Sequence, residues 1–263
     1  MKQVTLVSLY GEKKKALADL IAECQRIVTT GVGQFKPYEL PQVHATIIGL
    51  ERRIGSPAYN ANFAKNRERD VEMDFAGFLA YLRNCGCFPF EVQIGGFAAD
   101  RHYPFTSRKA IPHDRSFSIQ GDRVVMMGWP VRGEPPTTRP ATPQEWVQEA
   151  RIYPSTLDTI RHAAQRFGIL HSFHSALTDV DNDLFFRIGL LENSEGLTPS
   201  ARSFVERQVR EFLSTQPPLV VEIRLDDVCV AAYEDNRLPL ASTDLYSLAD
   251  PQVTGVFVAG LFA

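Results

Sequence analysis

Short β-prone runs alternate with amphipathic helical runs along the chain, and this alternation limits the fold to classes that pack helices against a sheet. Residues 4–9 and 42–50 have the composition of strands, and residues 12–28 between them carry apolar side chains at helical spacing. A proline-rich segment at residues 130–142 has the composition of a linker, and helices and strands follow it in a similar order. The sequence therefore predicts an α+β protein whose two halves resemble each other.

The second half begins at a clear helix start. Thr142 can cap the helix, Pro143 suits its first position, and Glu145 completes a capping box. In the first half, the patterns also predict a helix at residues 74–84, a strand at 88–94, a β-hairpin over 117–129, and irregular structure at 51–73. In the second half, they predict helices at residues 155–167 and 198–213, and strands at 172–180, 184–191, 219–225, 227–233 and 244–248.

Length and charge exclude several classes of function. A chain of 263 residues with 44% hydrophobic and 22% charged residues is typical of a globular protein. The net charge of −3 provides no overall positive field for long nucleic acids, so a nucleic-acid ligand has to be small or held by a local patch. The N-terminus lacks a signal-peptide pattern, and the apolar residues 256–263 are too few to cross a bilayer. We predict a cytoplasmic protein with no membrane association, and nothing in the sequence implies a protein partner.

The cysteines do not form a recognisable zinc motif. The four of them, Cys24, Cys85, Cys87 and Cys229, lack the Cys-x2-Cys spacing of such a site, and we predict free thiols in a reducing compartment. No group of His, Asp and Glu residues has ligand spacing along the sequence. The sequence therefore predicts no metal and no other cofactor.

One histidine motif stands out among the six histidines of the chain. Only His44 is followed two positions later by a hydroxyl residue, Thr46. Side chains two apart on a strand share a face, so this pair can contact one ligand together. An imidazole transfers protons near neutral pH, and a hydroxyl donates a hydrogen bond to a phosphoryl oxygen. One such pair can hold a phosphate, but cleaving a phosphodiester needs a base on one side and an acid on the other.

The motif His-Ala-Thr-Ile-Ile-Gly-Leu at residues 44–50, with a second histidine-bearing segment in the other half, is similar to the 2H phosphoesterase superfamily. Residues 89–97, 124–129 and 221–228 resemble later strands of that family. The superfamily includes 2′-5′ RNA ligase-like proteins and cyclic phosphodiesterases, and it carries two His-x-Thr/Ser motifs in two symmetry-related lobes. The resemblance implies one bilobal domain over residues 1–263, in which each lobe has a mostly antiparallel sheet with helices outside and a cleft lies between the lobes.

The second motif departs from the family pattern. Counted from His174, the hydroxyl position is Ala176, and counted from His171, it is Phe173. We take His174 as the second catalytic histidine. His171 is three positions away, points to the other face of a strand and is interpreted as structural. Thr178 lies on the face of His174, one pleat further on, and both Ala176 and Thr178 mark positions expected to contact substrate.

The resemblance implies a metal-free phosphodiesterase in which His44 and His174 act as acid and base, and Thr46 steadies the non-bridging oxygens. The implied reaction opens a 2′,3′-cyclic or related phosphodiester of a nucleotide or an RNA end, and 2′-5′ RNA ligase-like activity stays open. The alternative is a phosphate- or RNA-binding module of the same fold, in which Ala176 leaves weak turnover or none. A third interpretation is an α/β scaffold whose histidines are structural.

Further substrate contacts are predicted from composition. The loop at residues 100–109 mixes basic and aromatic side chains, which suit stacking on a base and contact with a phosphate. Arg101 and Tyr103 are its candidates, although a solvated loop explains the composition equally well. Tyr233, near a late strand, is a third candidate. His102, His113 and His162 are interpreted as surface or packing residues.

Overall fold

The computed structural model describes residues 2–53, 58–136 and 138–262. The strands within these residues are β1 (Gln3–Ser8), β2 (Phe35–Pro37), β3 (Ala45–Gly49), β4 (Phe90–Ile94), β5 (Phe117–Gln120), β6 (Arg123–Val131), β7 (Leu184–Leu191), β8 (Leu219–Ile223), β9 (Val228–Tyr233) and β10 (Asp244–Ser247). They form one sheet in the order β10-β9-β1-β3-β7-β6-β4-β8, with β2 paired to β7 and β5 paired to β6.

Every pairing in the sheet is antiparallel. Together with the helices, this confirms the predicted α+β class. Strands that precede and follow residues 130–142 are interleaved, because β7 lies between β3 and β6. The two-lobe arrangement implied by the family resemblance is therefore not confirmed, and the extent of the domain stays a prediction.

Helices pack against the sheet, and several of them cover one of its faces. Those in the described residues are α1 (Lys15–Gly31), α2 (Ala61–Arg67), α3 (Phe75–Asn84), α4 (Pro112–Arg115), α5 (Pro143–Ile152), α6 (Thr156–Ala164), α7 (Pro199–Thr215) and α8 (Gly255–Gly260). Apolar side chains of α1, α3, α6 and α7 pack with alternate residues of the strands in one large core. Burying a Leu, Ile or Phe side chain contributes about 1.5–3 kcal/mol, so this face provides much of the fold's stability.

No helix in the described part of the chain is long and apolar enough to cross a membrane. The cytoplasmic location stays a prediction.

The opposite face of the sheet carries two smaller apolar clusters. One surrounds Trp129 of β6 and includes Phe97 and Tyr153. The other is formed by Val7 of β1, together with residues of β9 and the loop after it. Between the clusters, side chains of β1, β3, β6 and β7 that point to this face are mainly polar. The candidate site lies on this polar strip.

Most predicted elements are present within a few residues of their expected bounds. The clearest is the start of α5, where Thr142 accepts a hydrogen bond from the Glu145 N–H and the Glu145 carboxylate accepts one from Thr142 N–H. The predicted end of the helix at residues 155–167 is also confirmed. Gly168 has a φ of 70° there, a left-handed conformation that ends the helix.

Two structural predictions are wrong. Residues 172–180 form turns and bends rather than a strand. In the stretch predicted to be irregular, residues 61–67 form α2, whose first N–H groups are capped by the Asn60 side chain. Residues 54–57 of that stretch lie outside the described residues.

The prediction of four free thiols is also wrong. Cys85 and Cys87, at the end of α3, are joined by a disulfide. Cys24 and Cys229 are free. Because only one residue separates Cys85 from Cys87, the pair is unsuited to binding one metal ion. The turn between them nevertheless brings their sulfur atoms into bonding range.

Candidate functional site

His44 lies directly before β3, where its imidazole is held from two sides. Its Nδ1 donates a hydrogen bond to the carbonyl oxygen of Gln42 at 2.8 Å, since a carbonyl can only accept. The ring of Tyr10 packs against it with a centroid distance of 5.7 Å, and the Tyr10 hydroxyl donates to the Leu238 carbonyl. This tautomer leaves Nε2 with a free lone pair, and no residue in the described part of the chain bonds to that atom.

Burial keeps the His44 imidazole neutral. Only 5% of the residue is exposed. Desolvation lowers the pKa of His44 to about 4, although the hydrogen bond to Gln42 acts in the opposite direction. The positive charges of Arg187 and Lys13 lower this pKa further. At neutral pH, Nε2 is therefore available as a proton acceptor.

Thr46 shares a face of the sheet with His44. Its neighbours Ala45 and Ile47 are buried in the large core, so Thr46 points to the opposite face. There His44 and Thr46 line one cavity of about 470 Å³, within the range of small-molecule sites. Its other walls include polar side chains of four strands and of the loop after β9: Gln3, Thr5, Arg123, Arg187, Tyr233 and Asn236. The structure thus brings together His44, Thr46 and Tyr233, three of the residues predicted from the sequence.

Arg187 is a cation in this cavity to which no described residue contributes a carboxylate partner. On β7 it alternates with the core residues Phe186 and Ile188, so its side chain points to the cavity face. Its Nη1 donates to the Asn236 carbonyl at 2.7 Å. Among the described residues, no acidic side chain forms an ion pair with it. A guanidinium in this state is well suited to bind a phosphate.

Two weak acids, Glu51 and Tyr233, complete the polar wall. The Glu51 carboxyl lies over Gly49, where a Cβ atom would come within 2.2 Å of Glu51 Oε1, and it accepts a hydrogen bond from Asn62 at 3.1 Å. Burial raises the pKa of Glu51. Burial also raises the pKa of Tyr233 to about 12, and the nearby Glu51 adds to the effect. Tyr233 therefore keeps its phenolic proton and can donate a hydrogen bond to a ligand.

A second cavity of about 140 Å³ adjoins the first. The two share five lining residues, Thr46, Gly49, Glu51, Arg123 and Arg187. From these, the smaller cavity continues past Phe185 to His171 and Asp181. We refer to the two cavities together as the cleft.

Arg161 of α6 fixes the wall of the cleft that carries His171. It is only 1% exposed, and it donates to the carbonyl oxygens of Ile47 and Asp181 at 2.9 Å and of Thr46 at 3.1 Å. The Asp181 carboxylate in turn accepts a hydrogen bond from His171 Nε2 at 3.0 Å. Through these bonds, one buried side chain ties β3 to the segment before β7.

Opposite charges meet at this wall, where Arg161 and the Asp181 carboxylate are 3.4 Å apart. Burial alone would raise the pKa of Asp181, but the Arg161 guanidinium and the His171 hydrogen bond hold it well below its usual range. Burial lowers the pKa of His171 to about 4, with Arg161 acting in the same direction and Asp181 against it. The buried Nδ1 of His171 has no hydrogen-bond partner in the described residues. His171, interpreted as structural from the sequence, is thus the second imidazole of the cleft.

His174, predicted as the second catalytic histidine, does not line the cleft. It lies in the loop between α6 and β7 and is fully buried. Its ring packs on that of His162 with a centroid distance of 4.2 Å, and its Nε2 is 3.3 Å from Asp158 Oδ1. Because residues 172–180 are not a strand, the alternation that places His171 on the opposite face from His174 does not apply.

Ala176 and Thr178 also lie outside the cleft. Both are in an exposed turn, which is closed by a 2.6 Å hydrogen bond from the Ala176 N–H to the Asp179 carboxylate. Thr178 borders a separate depression beside Phe173 and Lys109. Neither residue is placed to contact a ligand held by His44 and Thr46.

Arg101 and Tyr103 hold their own loop together. Arg101 forms a buried ion pair with Glu149 at 2.7 Å, and its guanidinium lies 5.0 Å above the Tyr103 ring. The Tyr103 hydroxyl accepts a hydrogen bond from the Ala98 N–H at 2.9 Å. Neither side chain lines the cleft, whereas Arg108 of the same loop does.

No family model matches the sequence, and no curated protein matches it. Among solved structures, TT0787 of Thermus thermophilus is similar with 10% identity, a TM-score of 0.35 and 93% of each chain covered. Usb1 of Kluyveromyces marxianus, in a structure with uridine monophosphate, is similar with 9% identity and a TM-score of 0.39, covering 92% of this chain and 96% of its own. At these identities and TM-scores, neither structure assigns a family or an activity to this chain.

Proposed function

We propose that the chain is a phosphodiesterase of the 2H phosphoesterase type, which opens a 2′,3′-cyclic or related phosphodiester of a nucleotide or an RNA end. The observation that carries the proposal is the grouping of His44, Thr46 and Arg187 in one cavity. They supply a proton acceptor, a hydroxyl donor and a cation that pairs with no carboxylate of the described residues. These are the groups that a metal-independent attack on a phosphodiester requires on the side of the nucleophile.

In the proposed mechanism, His44 Nε2 takes a proton from a water molecule or a ribose hydroxyl as that oxygen attacks phosphorus. The Thr46 hydroxyl and the Arg187 guanidinium hold the non-bridging oxygens while negative charge builds up on them. The bond from phosphorus to the leaving oxygen then breaks, and the leaving oxygen takes a proton from a second imidazole.

We assign the second role to His171 instead of His174, because His171 lines the cleft. The Asp181 carboxylate, 3.0 Å from Nε2, fixes the ring and stabilises its protonated form, as carboxylates do in catalytic triads. With Nε2–H donated to Asp181, Nδ1 is the atom left to protonate the leaving oxygen. This role requires the negative charge of the bound phosphodiester to offset the desolvation that lowers the pKa of His171.

The test measures hydrolysis of 2′,3′-cyclic nucleotides in EDTA by wild type, His44→Ala, His171→Ala and His174→Ala, with the exposed His102→Ala as the matched control. We expect wild type and His102→Ala to turn over substrate in EDTA, because no step of the proposed mechanism uses a metal, and circular dichroism in EDTA shows whether each protein is folded. His44→Ala and His171→Ala should each lose about 10²–10⁴-fold in kcat, the usual contribution of a general acid or base. If His174→Ala, shown by circular dichroism to be folded, loses this much while His171→Ala does not, the assignment made from the sequence is correct and ours is wrong.

A binding module is the second candidate, and Phe185 favours it. The Cα atoms of Phe185 and Thr46 are partners across β7 and β3, so the position opposite Thr46 holds neither an imidazole nor a hydroxyl. A cleft that lacks an imidazole and a hydroxyl at this position could bind phosphate esters without hydrolysing them. Equilibrium binding of 2′- and 3′-nucleoside monophosphates by wild type, together with no hydrolysis of the cyclic nucleotides, would support the module over the enzyme.

A further inference from the structure

A histidine–carboxylate cluster lies behind the wall of the cleft. Asp158 and His162 are one turn apart on α6, and His174 comes from the loop before β7. The Oδ1 atom of Asp158 is 3.2 Å from His162 Nδ1 and 3.3 Å from His174 Nε2. One possible ligand atom from each residue lies within 4.8 Å of the other two. None of the three residues lines the cleft.

We propose that Asp158, His162 and His174 form a binding site for a divalent transition metal, with Zn²⁺ as the best match. Two imidazoles and one carboxylate suit Zn²⁺, whereas Mg²⁺ and Ca²⁺ select oxygen ligands. With metal–ligand bonds of about 2.0–2.1 Å, neighbouring ligands of a tetrahedral ion are about 3.3 Å apart. The two separations from Asp158, 3.2 and 3.3 Å, have this value. The sequence prediction that no metal-ligating group exists misses this cluster, because its third member is distant along the chain.

His174 provides a second, independent observation. The residue is 0% exposed, but neither of its ring nitrogens makes a hydrogen bond with a described residue. Its Nε2 is close to Asp158 without being aligned for a hydrogen bond. Arg67 donates to the backbone carbonyl of His174 at 3.1 Å and leaves the ring untouched. A buried polar group without a partner is costly, and a metal ion bound at Nε2 would remove that cost.

His162 completes the site from the solvent side. Its side chain is 35% exposed, so water reaches this side of the cluster. Its Nδ1 lies 3.1 Å from the Asp158 carbonyl oxygen, and a hydrogen bond there requires a proton that metal binding displaces. In the alternative interpretation, no metal binds, and hydrogen bonds such as this one hold Asp158, His162 and His174 together.

The bound metal has a structural role, since it joins α6 to the loop at residues 171–183. Asp158 Oδ1 also accepts a hydrogen bond from the Asp181 N–H at 2.8 Å, and Asp181 holds His171. Coordination at Asp158 and His174 therefore fixes the loop that carries one wall of the cleft. Loss of the metal lowers the stability of this loop.

The test titrates chelator-treated protein with Zn²⁺ by calorimetry and with Co²⁺ followed by absorption. We expect one equivalent to bind, Zn²⁺ to raise Tm, and Co²⁺ to give the intense visible bands of tetrahedral coordination without the near-ultraviolet bands of thiolate ligands. His162→Ala and Asp158→Asn should weaken Zn²⁺ binding by more than the roughly 10–100-fold that loss of a second-shell partner costs. The exposed His102→Ala should bind as wild type does.

Folding of each variant is checked by circular dichroism. His162 is partly exposed and Asp158→Asn is nearly isosteric, so both variants should fold even if His174→Ala does not. The proposal is overturned if wild type binds no stoichiometric metal, if binding persists in both variants, or if the Co²⁺ spectrum shows thiolate ligation by the cysteines.

Discussion

Thr46 of β3 and Phe185 of β7 lie directly opposite each other on neighbouring antiparallel strands. Side chains of such a pair point to the same face. Extending the register by two residues places Arg187 across from His44, in agreement with the Arg187 charge lowering the pKa of His44. The segment that faces the first histidine motif is therefore Phe185–Arg187 on β7, not the residues around His174.

Replacing Thr46 by Val tests whether its hydroxyl contacts the reacting phosphate. Thr46→Val should lower kcat for 2′,3′-cyclic nucleotides by about 10²-fold, because one donor to developing charge is lost. Thr178→Val is the matched control. Its exposed turn lies outside the cleft, so its kinetics should equal those of wild type. Equal losses in both variants would contradict the placement of the phosphate at Thr46.

Arg187 should set the affinity of the cleft for anions. Hydrogen bonds to charged groups contribute about 1.5–3 kcal/mol, so Arg187→Gln should weaken binding of nucleoside monophosphates by about 10–100-fold. Calorimetry measures the dissociation constants at two salt concentrations, since screening weakens a charge contact. Arg207→Gln, an exposed position on α7 paired with Glu211, should bind as wild type. Unchanged affinity in Arg187→Gln would place the anion elsewhere.

Patterns within one short segment are enough to predict most elements and the first half of the site. The start of α5 follows from Thr142 and Glu145, which act on neighbouring backbone groups. The alternation on residues 44–50 similarly predicts that His44 and Thr46 share a face, and both line the cleft. In these cases, the residues that determine the structure are adjacent in the sequence.

The second half of the site depends on contacts between distant segments. The local pattern around His171 predicts a strand, but residues 172–180 form a loop. The end of this loop is held by a buried ion pair between Arg161 and Asp181 at 3.4 Å, a contact that local patterns do not contain. Arg187 lies on a correctly predicted strand, but its position opposite His44 follows from the pairing of β3 with β7. No local pattern in a single sequence indicates that β3 pairs with β7. The same limit explains why Arg101 and Tyr103, chosen for composition alone, lie outside the cleft.

Arg161 should be a main determinant of stability. Removing one partner of a buried ion pair typically costs about 3–5 kcal/mol, and Arg161→Met also leaves the carbonyl oxygens of Ile47 and Thr46 without this donor. We expect a loss in the free energy of unfolding of this size, measured by urea denaturation. Arg151→Met, at an exposed position of α5, should change it by less than about 0.5 kcal/mol. A loss below about 1 kcal/mol in Arg161→Met would show that the wall of the cleft is held by other contacts.

His44 should make stability depend on pH in a defined window. Burial lowers its pKa to about 4 from the ordinary value of 6.5, so between these values the unfolded chain binds a proton that the folded protein excludes. The unfolded state is therefore favoured as the pH falls through this window. From pH 7 to pH 5, wild type should lose about 2 kcal/mol more than His44→Gln, because each pH unit within the window corresponds to about 1.4 kcal/mol. Urea denaturation of both proteins at the two pH values measures the difference, and contributions from the other histidines cancel. Equal losses in the two proteins would mean that His44 is hydrated in solution, and it would then lack the buried, neutral Nε2 on which the proposed role as a base depends.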